Sequence, residues 1–135
     1  MSRIIKARGI VKGAASGPAL ICREAVSFLG DIDINTGVIV GKLPSVEGQC
    51  VKGTVMVMPD SMGSAGAWRF LYQLYTHGNH PAAIISVALP DPSLVQGAIL
   101  AGIPVLTAPE EDVLAVLTNE NTLRVDGAKG VVYVD

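Results

Sequence analysis

A serine set between small residues stands where a strand should give way to a helix, in Met58-Pro59-Asp60-Ser61-Met62-Gly63-Ser64-Ala65-Gly66-Ala67. Val55-Met56-Val57-Met58 reads as a buried strand that stops at Pro59, and a helical pattern takes over by Trp68. A Gly-Ser turn feeding a helix puts a hydroxyl beside free backbone N–H groups, an arrangement that binds anions and favours negative charge. Ser64 is therefore the candidate centre of a chemical site, with Gly63 and Ala65 beside it. The bland alternative is that Ser64 is a helix N-cap, worth about 1 kcal/mol over alanine.

A nucleophilic serine needs a histidine and an acid. The chain has two histidines, His77 and His80, and both fall at the far end of the same expected helix. Some twelve residues of helix span about 18 Å, so a self-contained Ser-His-Asp hydrolase lacks its base. Acting as a base itself, Ser64 would have to ionise near neutral pH. A helix start gives a neighbouring negative charge only about 0.3–1 kcal/mol, less than one pKa unit at about 1.4 kcal/mol per unit. The missing stabilisation has to come from a metal-bound substrate or a cationic group, which points to a second chain. Three further candidates surround Ser64. Arg69, one turn into the helix, could meet a substrate carboxylate or stand as a solvated helix residue. Asp33 could line a cleft or only close its own turn. Ser61 could hydrogen-bond a substrate or serve as a turn residue.

The elements that must position these residues fall into two halves. In the first, residues 4–11 form an expected strand, 13–17 a turn, 18–22 a strand, 27–33 an irregular loop with an apolar anchor, and 38–40 a short strand after the Asn35-Thr36-Gly37 turn. In the second half the rhythm alternates. A strand over 51–58 leads to a helix over 64–76 with Ala67, Leu71, Leu74 and Tyr75 on one face, ended by Gly78. A strand over 82–87 leads to a helix with Asp91 as N-cap and Pro92 in its first turn, stopping at Gly102. A short strand over 104–106 leads to a third helix over 110–117, with capping-box spacing from Thr107 to Glu110. Residues 123–125 and 131–134 close the chain as a hairpin. Three strand-to-helix alternations argue for an α/β fold with a parallel sheet. The strand-rich front and closing hairpin make it a three-layer β/β/α domain spanning residues 1–135.

Composition narrows the function classes. A chain of 135 residues, half hydrophobic but only 4% aromatic, builds its core from aliphatic side chains. A net charge of −2 without a basic patch argues against nucleic acid. No apolar run approaches the roughly 20 residues of a membrane span, and the first residues lack a signal-peptide core, so the expected location is the cytoplasm. The two cysteines, Cys22 and Cys50, are far apart and read as reduced and inert. They cannot hold an iron–sulfur cluster, which usually takes about four cysteines, and no metal site is expected in this chain.

The order of landmarks resembles the swivel domain of the aconitase X family, its small subunit. The matching stretches are Arg8-Gly9-Ile10-Val11-Lys12-Gly13 with Gly17, and Ser27-Phe28-Leu29-Gly30 with Asp33 and Thr36-Gly37-Val38. Next come Val57-Met58-Pro59 with Gly63-Ser64, then Gly97-Ala98-Ile99-Leu100-Ala101-Gly102-Ile103-Pro104-Val105, and finally Arg124-Val125-Asp126-Gly127. The resemblance covers nearly the whole chain. It implies a swivelling domain of the aconitase small-domain type and a two-subunit hydro-lyase, a heterodimer or higher assembly. It also implies an iron–sulfur cluster on the large subunit, which binds the leaving hydroxyl of a small 3-hydroxy acid, phosphomevalonate-like or 3-hydroxyproline-like. The small subunit closes over the site and supplies a serine base, which maps onto Ser64; Gly63, Ala65, Ser61, Arg69 and Asp33 are then the expected substrate-binding residues. Two positions depart from the family pattern. Asp60 stands where a positive residue is common, and Ala65 where a second hydroxyl stands. A phosphate site should not favour Asp60. The alternative function is a non-catalytic swivel or binding module of the same fold.

Overall fold

The N-terminal segment, expected as one strand over 4–11, forms two: β1 (Arg3–Lys6) and β2 (Arg8–Val11). β3 (Ala14–Ile21) follows, then β4 (Val55–Met58), β5 (Ala83–Ser86), β6 (Val105–Thr107), β7 (Thr122–Asp126) and β8 (Val131–Val134). The structure, a computed structural model, describes residues 3–62 and 66–135. The strands run in the order β1-β8-β7-β3-β4-β5-β6-β2. Consecutive strands β1 and β2 thus lie at opposite ends of the order, and the sheet must curl back on itself to join them. The bend falls at Ala7, whose N–H donates to the Gly130 carbonyl at 2.7 Å. Beside it, a Cβ on Gly9 would lie 1.9 Å from the Gly127 carbonyl oxygen, so β2 can meet the β7–β8 turn only with glycine there.

Residues 13–17, expected as a turn, belong mostly to β3. The first part of β3 pairs antiparallel with β7, and its second part pairs parallel with β4. Cross-strand pairing on both sides overrides the local turn preference of Gly17-Pro18. Pro18, which has no N–H to give, stands where the partner changes.

β3, β4, β5 and β6 form a parallel core sheet that is buried on both faces. The pleat sends alternate side chains to opposite sides. Val55, Val57, Ala83, Ile85 and Leu106 join Leu123, Val125 and Val132 of the closing hairpin in one apolar cluster. Met56, Met58, Ile84 and Val105 join a second cluster with the helices and with Phe28, Ile39 and Leu43 of the long β3–β4 connection. These are the three layers expected.

α1 (Ala67–Thr76) buries Ala67, Leu71 and Leu74. Tyr75, expected on that face, is 42% exposed and rests its ring beside Tyr72 and His80. α2 (Pro92–Ala101) follows the sequence reading: the Asp91 carboxylate accepts the Ser93 and Leu94 N–H groups, and Gly102 ends it in the left-handed conformation. α3 (Val113–Val116) is one turn rather than a helix over 110–117. The expected capping box does not form, because Thr107 ends β6 and its hydroxyl donates to the Ala88 carbonyl at 3.0 Å. Residues 38–40 make only the isolated bridges Val38 to Cys50 and Ile39 to Ile32, with no neighbouring strand to extend them. The strand expected over 51–58 is shortened to β4 by a turn at Gly53, in which the Thr54 N–H donates to the Val51 carbonyl at 3.0 Å.

Candidate active site

The carboxyl ends of β4, β5 and β6 open toward the starts of α1 and α2, the position at which α/β sheets bind ligands. As β4 ends, Val87 and Ala88 donate their N–H groups to the Met58 and Pro59 carbonyls, at 2.9 and 3.0 Å. On the other edge, the Val26 N–H donates to the Asp60 carbonyl at 3.1 Å, and the Met62 N–H donates to the Val26 carbonyl at 2.9 Å. Residues 58–62 are therefore gripped along both edges as the chain approaches Gly63. Gly63, Ser64 and Ala65, the centre of the site read from the sequence, lie outside the described residues. α1 starts at Ala67 with Gly66 at its N-cap position and no side-chain cap bond, three residues later than the start expected at 64.

Ser61, two residues before Gly63, is buried. Its hydroxyl donates to Asp91 Oδ2 at 3.1 Å. Asp91 Oδ1 meanwhile accepts the Ser93 and Leu94 N–H groups at 2.9 and 3.1 Å. On the far side of the turn, the Trp68 N–H donates to Ser93 Oγ at 3.0 Å. The corner that opens α2 thus touches the chain both before and after residues 63–65. Sequence reasoning saw Asp91 and Pro92 only as a helix start; the links to Ser61 and Trp68 cross 30 and 25 positions and leave no local signal. Behind the corner, buried Ser86 and Thr107 both donate hydroxyls to the Ala88 carbonyl, at 2.7 and 3.0 Å, and so hold the loop after β5.

The other predicted residues divide. Arg69 lies in the first turn of α1, exposed, and its guanidinium makes no ion pair among the described residues. Asp60 is exposed, and its Oδ1 accepts the Ser61 N–H at 2.8 Å. Asp33 closes its own turn. Its Oδ1 accepts the Asn35 N–H at 2.9 Å, and its carbonyl accepts the Thr36 and Gly37 N–H groups. The neighbouring Ile34 carbonyl accepts from Asn79 Nδ2 at 3.0 Å, which fixes this loop beyond the C-terminal end of α1. The ten residues of α1 put that end about 15 Å from the helix start.

His77 and His80 also lie at that far end. His77 Nδ1 is 2.8 Å from the Gln73 carbonyl. His80 Nδ1 is buried without a hydrogen-bond partner among the described residues, and burial lowers its pKa from the ordinary 6.5. Burial, helped by the charge of Glu24, pushes the Cys22 thiol up to about 12, so it stays protonated. Cys50 is exposed beside Gly37. A protonated buried thiol and a lone exposed one do not fit an iron–sulfur cluster. Among the described residues no three His, Cys, Asp or Glu side chains are grouped to hold a metal, and no helix is long and apolar enough to cross a membrane. A cleft of about 450 Å³ lies along the outer side of α2, lined by Leu89, Pro90, Pro92, Val95, Ile99 and Leu100 with Gln96; it offers no acid or base.

This three-layer architecture, with residues 58–62 held at the carboxyl end of a parallel strand, defines a class. The aconitase X swivel-domain model matches residues 4–134, and the chain belongs to that family. The crystal structure of Thermococcus kodakaraensis aconitase X in its holo form superposes with a TM-score of 0.90 at 30% identity, covering 98% of each chain. Among particular relatives, a phosphomevalonate dehydratase small subunit from Methanocella arvoryzae is 38% identical over 128 residues, 95% of this chain and 96% of its own. One from Pyrococcus furiosus is 36% identical over 130 residues, 96% of this chain and 94% of its own. These relatives bear out the enzyme class that the resemblance implied, a two-subunit dehydratase.

Proposed function

We propose that this chain is the small subunit of a cytoplasmic dehydratase acting on phosphomevalonate, with Ser64 as the base, and that residues 1–135 form one swivel domain. The observation that supports this reading is the double-edged grip on residues 58–62, the end of a buried strand that directly precedes Gly63-Ser64 in the chain. Ser64 takes the proton from a C–H bond next to the substrate's carboxylate. The electron pair left behind forms the C=C bond, and the neighbouring C–O bond breaks to release the hydroxyl. The iron–sulfur cluster of the large subunit would supply the Lewis acid that accepts this hydroxyl.

Within this chain, the N-terminus of α1 carries no acidic residue in its first turn, and Arg69 adds a positive charge there. Both favour an anionic substrate and an ionised Ser64, though the helix start alone supplies only about 0.3–1 kcal/mol. The partner must therefore complete the site. Asp60 favours a second substrate, 3-hydroxyproline-like, because an exposed carboxylate four residues before Ser64 disfavours a phosphate there. If the alternative holds and the chain is a non-catalytic module, Ser64 has no role in turnover.

Co-expression with the large subunit, followed by assay of water elimination from phosphomevalonate and from cis-3-hydroxyproline, tests these readings. Replacement Ser64→Ala is expected to lower kcat by at least about 10²-fold, the low end for loss of a general base. Near-wild-type turnover in Ser64→Ala would sink the base assignment. Turnover of hydroxyproline alone would select the second substrate.

A further inference from the structure

We infer that the outer face of α2 is the surface on which this chain docks the large subunit of its two-subunit enzyme. α2 is uncharged and largely apolar all round. Its inner side buries Leu94, Gly97, Ala98 and Ala101, and no charged residue stands between Pro92 and Ala101. A surface helix ordinarily turns charged and polar residues to water, as α1 does with Arg69, Gln73 and Thr76. α2 instead turns out Ile99 and Leu100, 61% and 51% exposed, and the loop leading into it adds Leu89 at 66%. These side chains are not scattered. Leu89, Val95, Ile99 and Leu100 line one groove of about 450 Å³. Ile99 also borders a second groove of about 370 Å³, with Ile10 of β2 and Lys12 just beyond that strand. A contiguous apolar surface of this kind marks a site of association.

Composition, position and charge make the large subunit the occupant. The relatives are small subunits of a two-subunit dehydratase, a class in which this chain keeps a lasting contact with a larger partner. Lasting interfaces resemble a domain core cut in half and are poor in charge, which is the composition of this face. The face also begins beside the carboxyl ends of the parallel strands. Leu89 follows Ala88, whose carbonyl accepts the Ser86 and Thr107 hydroxyls at the ends of β5 and β6, so a partner that reaches this edge of the sheet meets the first groove. The residues lining the two grooves include one cation, Lys12, and no acid. The nearby Asp91 carboxylate is taken up by Ser61, Ser93 and Leu94. The partner's surface is therefore apolar, with an acidic group facing Lys12. This inference rests on the two-subunit reading and not on Ser64 as the base.

The test uses the co-expressed two-subunit complex, immobilised through a tag on the large subunit, and reads the rate at which the small subunit is released into buffer. Ile99→Glu and Leu100→Glu are each expected to speed release at least about 30-fold, the threshold of an interface hot spot. The melting temperature of the full small-subunit chain should stay unchanged, because both side chains already face water. Leu89→Glu, in the loop before the helix, serves if a charge on α2 disturbs folding. Ile99→Leu keeps the apolar surface and should release within about 3-fold of wild type. Lys12→Glu should slow rebinding of the released chain about 10-fold at low salt, a difference that shrinks as salt rises. Release within about 3-fold of wild type in all three glutamate variants at Leu89, Ile99 and Leu100 overturns the docking surface. A small subunit that sediments as a dimer and becomes monomeric in Ile99→Glu, with its hold on the large subunit unchanged, gives the face to a second copy and overturns it equally. No arm reads turnover, so failure of the Ser64 reading and failure of this surface are separate results.

Discussion

His80 shows how one residue's surroundings become a property of the whole. Its Nδ1 is buried with no hydrogen-bond partner among the described residues, and its ring packs T-shaped against Tyr75. Burial lowers its pKa from 6.5, so the folded chain resists a proton that the unfolded chain accepts. The stability that goes with neutral His80 is present above pH 6.5 and is lost as pH falls through the lowered folded value. Melting temperature measured from pH 7.5 down to about pH 5 is expected to fall less steeply for His80→Phe than for wild type. Identical slopes would remove His80 as the cause. For Ser64, the proposed base, a helix start would supply only about 0.3–1 kcal/mol toward the ionised form, and its replacement tests whether a partner supplies the rest.

At the scale of elements, the contact between α1 and α2 decides where the candidate site lies. Gly97 sits in the middle of α2, where alanine would ordinarily gain about 1 kcal/mol in helix propensity. Here the added Cβ would press on backbone atoms of Trp68 at 2.9 Å, which cannot yield as a side-chain tip could. The overlap outweighs the propensity, and Gly97→Ala is expected to destabilise by about 1–3 kcal/mol, measured by denaturant unfolding. Stabilisation instead would mean that the helices are not in contact at this point. The start and stop of α2 were legible because Asp91, Pro92 and Gly102 act locally, through a cap, a fixed φ and a left-handed end. α3 was overread. Thr107 and Glu110 have capping spacing, but β6 claims Thr107 for the sheet, and the Glu110 N–H donates to the Lys6 carbonyl at 2.8 Å.

For the whole molecule, closure is the governing event. β1 and β2 adjoin in sequence yet end up at opposite ends of the strand order, joined only because the sheet curls. Gly9 meets the Gly127 carbonyl in the seam, so Gly9→Ala is expected to cost at least about 3 kcal/mol or to prevent folding, the upper end for forced overpacking. Wild-type unfolding in denaturant would show the seam to be looser than described. The sequence by itself determined the alternation of strands and helices, the aliphatic core and the capped start of α2, because each is written in neighbours a few residues apart; the Gly63-Ser64 segment it offers as the candidate site lies outside the described residues. Only the tertiary structure decided that residues 4–11 split between two ends of the sheet, that Asp33 belongs to the far end of α1, and that Asp91 and Ser93 reach Ser61 and Trp68. Those outcomes depend on pairings across tens of residues, whose partners are chosen by the packing of the two apolar faces of the parallel sheet rather than by any local preference of the chain.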